Sequence, residues 1–250
     1  MKLDLSWNLL CRIVAGRLLS GADGGGLLES ISIDTRTLSA GQIFWALKGK
    51  KLDGHRYLDQ AVRRGAAGLV VQDLPQGWAP PEGVAVLQTP DTLAALQRLA
   101  AWHIRRNDVR AVGITGSNGK TTTKEMLRAI CAAQAPSVAS AASYNNEIGL
   151  PLTALEILPE HRYAVFEMGA SKRGDISLLA GIVKPEGGVI TNIAPAHLEY
   201  FGSLENVLKT KRELFEALPP EGFAVFNEDD PCLRPLRKTL RQRVLSFGFS

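Results

Sequence analysis

Cysteine is scarce in this chain. Cys11, Cys131 and Cys232 are widely spaced and odd in number, and they form no metal-ligand pattern. That excludes a disulfide-built fold and suits unpaired thiols in a reducing cytosol, so a cytoplasmic location is expected. No charge of one sign dominates: 29 basic and 25 acidic residues leave a net charge of +4. This dispersed excess suits anionic ligands such as nucleotides but is too small to argue for nucleic-acid binding. No apolar run approaches the roughly 18–20 residues a membrane-spanning helix requires. Lys2 precedes Leu9, Leu10, Ile13 and Val14 in a way that mimics a signal peptide, but Asp4, Asn8, Arg12 and Arg17 interrupt it and no clean cleavage site follows. An amphipathic first helix fits better, with Ser6 as N-cap and Trp7, Leu10, Val14 and Leu18 along one side. Internal repeats and low-complexity tracts are also missing.

What is present describes a globular protein. Hydrophobic residues make up 45% and charged residues 22% of 250 positions, enough for one large domain or two ordinary ones with a real core. Two blocks emerge. The first, residues 1–83, reads as a helix, strands at 28–33 and 42–47, a helix at 55–65 and a strand at 68–71. The turn-rich segment 74–83, with Pro75, Gly77, Pro80, Pro81 and Gly83, marks the expected boundary. The second block, 84–250, alternates strands (84–88, 110–114, 163–167, 188–192, 223–227, 244–247) with helices (92–106, 121–133, 148–158, 176–183, 204–218 and a weaker one near 233–241). Sustained alternation predicts an α/β fold with a largely parallel sheet covered by helices, whose ligands bind beyond the carboxyl ends of the strands.

The most informative stretch runs Gly113-Ile114-Thr115-Gly116-Ser117-Asn118-Gly119-Lys120-Thr121-Thr122. An apolar strand enters it and a helical pattern leaves it, which is the context of a nucleotide phosphate loop. Glycines let the backbone approach phosphate and turn its N–H groups inward, and the helix adds the positive end of its dipole. Lys120 would reach the β- and γ-phosphates, and the Thr121 hydroxyl would sit on Mg²⁺. The usual eight-residue P-loop would place its first glycine at Ile114, so the spacing departs from that form. A glycine-rich strand-to-helix turn without a ligand is the competing reading; Gly-Lys-Thr at the junction favours ATP.

Further candidates fall at strand ends. Tyr163 to Phe166 is an apolar strand ending in Glu167, suited to hold Mg²⁺ opposite Thr121, although a surface glutamate at a strand end is the commoner situation. His197 lies just past the strand 188–192, as a ligand or catalytic group or as a solvated loop residue. In the helix capped by Ser203, the apolar residues Leu204, Val207, Leu208, Leu214, Phe215 and Leu218 form one stripe with Lys211 near its centre, while Lys209 points the other way. An ammonium there costs free energy unless it is paired, neutralised or modified. Its stem can instead pack while the charge escapes to water, and a deprotonated lysine could also take up CO₂ as a carbamate.

These motifs together resemble the Mur ligases, and within them the MurF type, over essentially the whole chain. The loop Thr115 to Thr122 looks like the family's ATP loop. Asn145-Asn146-Glu147-Ile148-Gly149-Leu150-Pro151, Glu167-Met168-Gly169, Thr191-Asn192-Ile193, His197-Leu198-Glu199 and Phe201-Gly202 continue the match. Asp34-Thr35-Arg36 and Gly49-Lys50-Lys51-Leu52-Asp53-Gly54-His55 resemble the UDP-sugar-binding domain. The resemblance implies a small N-terminal α/β domain that binds UDP-MurNAc, residues 1–83, followed by a P-loop-type ATP domain, residues 84–250. It implies ATP-dependent joining of D-Ala-D-Ala to UDP-MurNAc-tripeptide, with Mg²⁺ as cofactor. ATP would lie on Gly116, Ser117, Asn118, Gly119, Lys120, Thr121 and Thr122; Thr35, Arg36, Asn145 and Asn146 would meet the sugar nucleotide. Thr121 and Glu167 would hold one Mg²⁺, and His197 with a carbamylated Lys211, 14 residues further on, a second. Arg36 could alternatively be spent on an ion pair with Asp34 or Asp53.

The resemblance also predicts a departure. Nothing resembles the family's C-terminal domain, and the central domain looks incomplete, so this chain alone is expected to be an inactive, monomeric fragment. The alternatives are a non-catalytic nucleotide- or UDP-sugar-binding module, the sibling ligase that adds the third residue, and folylpolyglutamate synthetase.

Overall fold

The computed structural model describes residues 3–21, 27–49, 52–141, 144–195 and 201–249. The chain divides into two compact units, Met1–His103 and Ile104–Ser250.

In the first unit, Ser6 caps α1 (Trp7–Val14) by accepting the Leu9 N–H at 3.3 Å, and Trp7, Leu10 and Val14 are buried. Ala15 takes a left-handed φ of 54° and ends the helix. Leu18, placed by its spacing on the same helical stripe, lies instead in β1 (Arg17–Ser20). The remaining strands are β2 (Ile31–Ser32), β3 (Ile43–Trp45), β4 (Gly68–Val71) and β5 (Ala85–Gln88), in the order β1-β5-β4-β3-β2. Only the β1–β5 pairing is antiparallel. A 3-10 turn (Gly54–Tyr57) runs into α2 (Leu58–Arg63), where one continuous helix is expected from the sequence.

The boundary at 83/84 needs correcting. β5, expected to open the second block, pairs with β4 from Gly68↔Ala85 to Val71↔Gln88 and sits inside the first sheet. Ala85, Val86 and Leu87 are buried, so this apolar run needs cover on both faces. The turn-rich segment is the crossover between two neighbouring parallel strands, a connection that requires about a dozen residues. Most of α3 (Thr92–Arg106) follows in the same unit, its start tied down where the Trp45 indole N–H donates to the Thr92 carbonyl at 2.7 Å.

The second unit is a six-stranded, wholly parallel sheet: β6 (Arg110–Thr115), β7 (Ser137–Ala139), β8 (Tyr163–Glu167), β9 (Gly187–Ile190), β10 (Phe223–Asn227) and β11 (Arg243–Phe247), in the order β11-β10-β9-β6-β8-β7. Its helices are α4 (Lys120–Gln134), α5 (Gly149–Ala154), α6 (Asp175–Val183) and α7 (Leu204–Glu216), with a 3-10 turn (Arg234–Lys238) where a weak helix is expected. Ile114, Val165 and Val189 form the centre of its core. Because β8 and β9 lie on opposite sides of β6, the chain reverses its winding there, and a crevice opens beyond the carboxyl ends of these strands. No helix among the described residues is long and apolar enough to cross a membrane.

Candidate functional site

Beyond Thr115 the backbone turns sharply to enter α4. Gly116 has φ +149°, and a Cβ built there would stand 1.8 Å from the Thr191 hydroxyl oxygen, so only glycine fits. Gly119, with φ 80°, caps α4 without any side-chain cap. The segment after β9 grips this turn. Thr191 Oγ1 donates to the Asn118 carbonyl (2.6 Å), the Ser117 N–H donates to the Asn192 carbonyl (3.0 Å) and the Asn118 N–H to Asn192 Oδ1 (2.9 Å). Ser117 Oγ donates to the Ala194 carbonyl, also at 2.9 Å. Asp230 anchors that segment in turn, accepting the Ile193 N–H at 2.6 Å. The amides of Ser117 and Asn118 are thus already engaged, and the donors left for an anion are the first-turn N–H groups of α4.

Glu167, at the end of β8 and 2% exposed, faces this helix. Thr121 Oγ1 donates to its Oε2 and Asn145 Nδ2 to its Oε1, both at 2.8 Å. Asn146 accepts the Ile148 and Gly149 N–H groups with its Oδ1, shaping the start of α5.

Two lysines supply positive charge. Lys120 Nζ donates to the carbonyls of Gly116 (2.8 Å) and Ser117 (3.1 Å). Burial lowers its pKa, against the opposing pull of Glu167. Lys211 is buried on α7 as its helical spacing predicts, while Lys209 forms a surface pair with Glu205 at 2.7 Å. Burial, reinforced by the charge of Lys120, brings the Lys211 ammonium down to about 8. It has no hydrogen-bonding or ionic partner among the described residues.

These groups surround a cavity of about 270 Å³, lined among others by Gly116, Lys120, Asn145, Asn146, Phe201 and Lys211. Thr122 stands exposed on the first turn of α4, and His197 lies outside the described residues. Two carboxylates that hold the site together escaped the sequence reading. One is Asp230. The other, Glu213, accepts the N–H groups of Gly174 (2.8 Å) and Ser177 (3.0 Å) and so caps α6 from α7. No local pattern announces either, because each contact joins residues far apart in sequence.

In the first unit Thr35 and Arg36 follow β2. The Thr35 hydroxyl donates to Gln60 Oε1 (2.9 Å) and is buried, whereas the exposed Arg36 forks onto Asp34 at 2.6 Å and holds that carboxyl below its usual range. Nearby, the Gln72 N–H donates to His55 Nε2 (2.8 Å), which leaves the ring proton on Nδ1 facing Asp53 at 2.6 Å. His55 and Trp78 help to line a cavity of about 400 Å³.

Residues 114–250 match the model of the Mur ligase middle domain, and residues 28–103 that of the Mur ligase family catalytic domain. The UDP-N-acetylmuramoyl-tripeptide–D-alanyl-D-alanine ligase of Haemophilus influenzae is 39% identical over 98% of this chain and 53% of its own length. A crystal structure of MurF from Acinetobacter baumannii superposes with a TM-score of 0.88 at 32% identity, over 96% of this chain and 52% of that one. MurF from Thermotoga maritima in complex with ADP gives 0.79, also at 32% identity, over 88% and 50%. The chain spans about half the length of the curated relatives it matches.

Proposed function

This chain belongs to the Mur ligase family, and we propose that it provides the nucleotide-handling parts of an ATP-dependent ligase joining D-Ala-D-Ala to UDP-MurNAc-tripeptide in the cytoplasm. The observation that carries this reading is the conjunction, beyond one edge of a parallel sheet, of an uncapped helix start, two lysines depressed by burial and a buried acid bonded to Thr121.

ATP lies with its phosphates on the first turn of α4. Lys120 exchanges its two loop carbonyls for β- and γ-phosphate oxygens, a stronger charge-assisted contact. Glu167 and Thr121 fit Mg²⁺: both offer hard oxygen, and Glu167 is buried with no cation bonded to it among the described residues. Bound there, Mg²⁺ neutralises phosphoryl charge.

The tripeptide carboxylate attacks the γ-phosphorus, ADP leaves and an acyl phosphate forms. The amine of D-Ala-D-Ala then attacks the acyl carbon, and phosphate leaves as the amide forms. Asn145 and Asn146 orient the sugar nucleotide at the cavity, and the first unit receives its UDP moiety near Thr35 and Arg36. His197 and a carbamylated Lys211 would hold a second cation; as an ammonium beside Lys120, Lys211 would repel one.

Calorimetry of ATP–Mg²⁺ binding tests the assignment. Lys120→Ala should lower affinity by about 10–100-fold without unfolding the chain, as expected for the loss of one buried charge-assisted contact. Unchanged affinity would remove the loop from the site.

A further inference from the structure

α4 spans fifteen residues, and the one that is fully buried is a lysine. Lys124 is 0% exposed, on the face where a helix packed against a sheet ordinarily places Leu or Ala. Burying an ammonium costs several kcal/mol unless good geometry offsets it. Here the Nζ donates to the Ser140 carbonyl at 2.7 Å and pairs with Glu125 Oε1 at 2.9 Å.

Ser140 is where β7 ends and the chain turns towards the cavity. Its N–H continues the ladder to the Val165 carbonyl at 3.1 Å, and its Oγ accepts the Glu167 N–H at 3.3 Å. Five residues on, Asn145 holds Glu167 Oε1 and, through its carbonyl, the Gly169 N–H at 2.8 Å. One ammonium therefore joins the helix carrying Lys120 and Thr121 to the strand end from which both Glu167 and Asn145 are set.

We propose that Lys124 is a positioning residue, fixing the phosphate-loop helix relative to the Glu167–Asn145 pair so that Thr121 and Glu167 converge on one cation. It reaches neither phosphate nor metal itself. The inference rests on the Thr121–Glu167 pair being the metal site. Groups that orient metal-holding side chains typically cost about 10–100-fold in metal affinity when removed.

The experiment uses the 250-residue chain with ADP as probe, in Mg²⁺ and in EDTA, together with NMR of the Asn145 side-chain amide in the ligand-free chain. Lys124→Met should move the Asn145 amide towards the position of a free amide and cut the Mg²⁺-dependent gain in ADP affinity by about tenfold. Affinity in EDTA should hold. A lysine that merely packs would lower the melting temperature and leave both readouts alone, and that result in a folded variant overturns the proposal. If Lys124→Met does not fold, Lys124→Arg keeps the cation but carries its donors past the Ser140 carbonyl. It should shift the same amide with a smaller loss of Mg²⁺ gain, and an unmoved amide overturns the proposal as well. A parent chain whose ADP affinity ignores Mg²⁺ would instead refute the metal site, and the ligand-free Asn145 signal would then decide the positioning role alone.

Discussion

The carboxyl edges of the two sheets treat charge in opposite ways. In the first unit the carboxylates near the edge named above are each met by a local donor: Asp34 by Arg36, Asp53 by the His55 ring N–H, Asp59 by the Trp78 indole N–H. In the second, half-buried Lys120 acts electrostatically on buried Lys211, and Glu167 is bonded only to neutral donors among the described residues. A ligand of the first edge must displace an existing ion pair and gains little net charge compensation. A polyanion with its cation at the second edge relieves charge the fold already stores. The second edge should therefore trade stability against binding, and the first should not.

The largest effect is expected where the second edge is most crowded. Gly116→Ala drives a methyl into Thr191, the residue that also holds Asn118, and must open the grip on the loop. Overpacking of this kind costs about 1–3 kcal/mol, read as a lowered urea midpoint, and nucleotide binding should vanish with it. A variant that binds ATP normally would show that the loop is not held rigid by the segment after β9.

Lys211 tests the stored charge directly. Its pKa is about 8 in the folded chain against an ordinary 10.5, so the unfolded chain holds the proton more tightly. The penalty is complete below about pH 8 and disappears as pH rises towards 10.5, giving about 3 kcal/mol at most. Lys211→Met should be more stable than the parent at pH 7, with the two converging at pH 10 in parallel urea titrations. A difference independent of pH would mean that Lys211 carries no titrating ammonium over this range, as in the anionic carbamate, and mass spectrometry of the intact chain under CO₂ distinguishes that state.

What could be seen in the sequence follows from the range of the contacts involved. The Ser203 cap, the strand ending at Glu167 and the misplacement of Lys211 each rest on local spacing, and the structure shows the same elements. β1 and β7 went unseen: the first follows directly on a helix of similar polarity, and the second is three small or branched residues on a sheet edge. β5 was legible as a strand, but a two-sided apolar run does not say which sheet it joins. The buried polar groups that brace the site, Lys124, Glu213 and Asp230, act on backbone atoms far along the chain, and periodicity carries no trace of those partners.

The smallest effect belongs to the first edge. Arg36 is exposed and already forked onto Asp34, so Arg36→Ala removes an ion pair that water screens on every side. Its melting temperature should match that of the parent. If the first unit receives UDP, the same substitution should weaken UDP binding through the loss of a bidentate diphosphate partner, and should do so more at low salt than at high. The NMR perturbations that UDP causes around Arg36 in the parent should shrink in the variant. Perturbations that persist unchanged but centre on His55 and Trp78 would move the nucleotide into the cavity those residues line, and the contrast between the edges would then lie in a histidine whose proton is fixed by Asp53 rather than in a surface arginine.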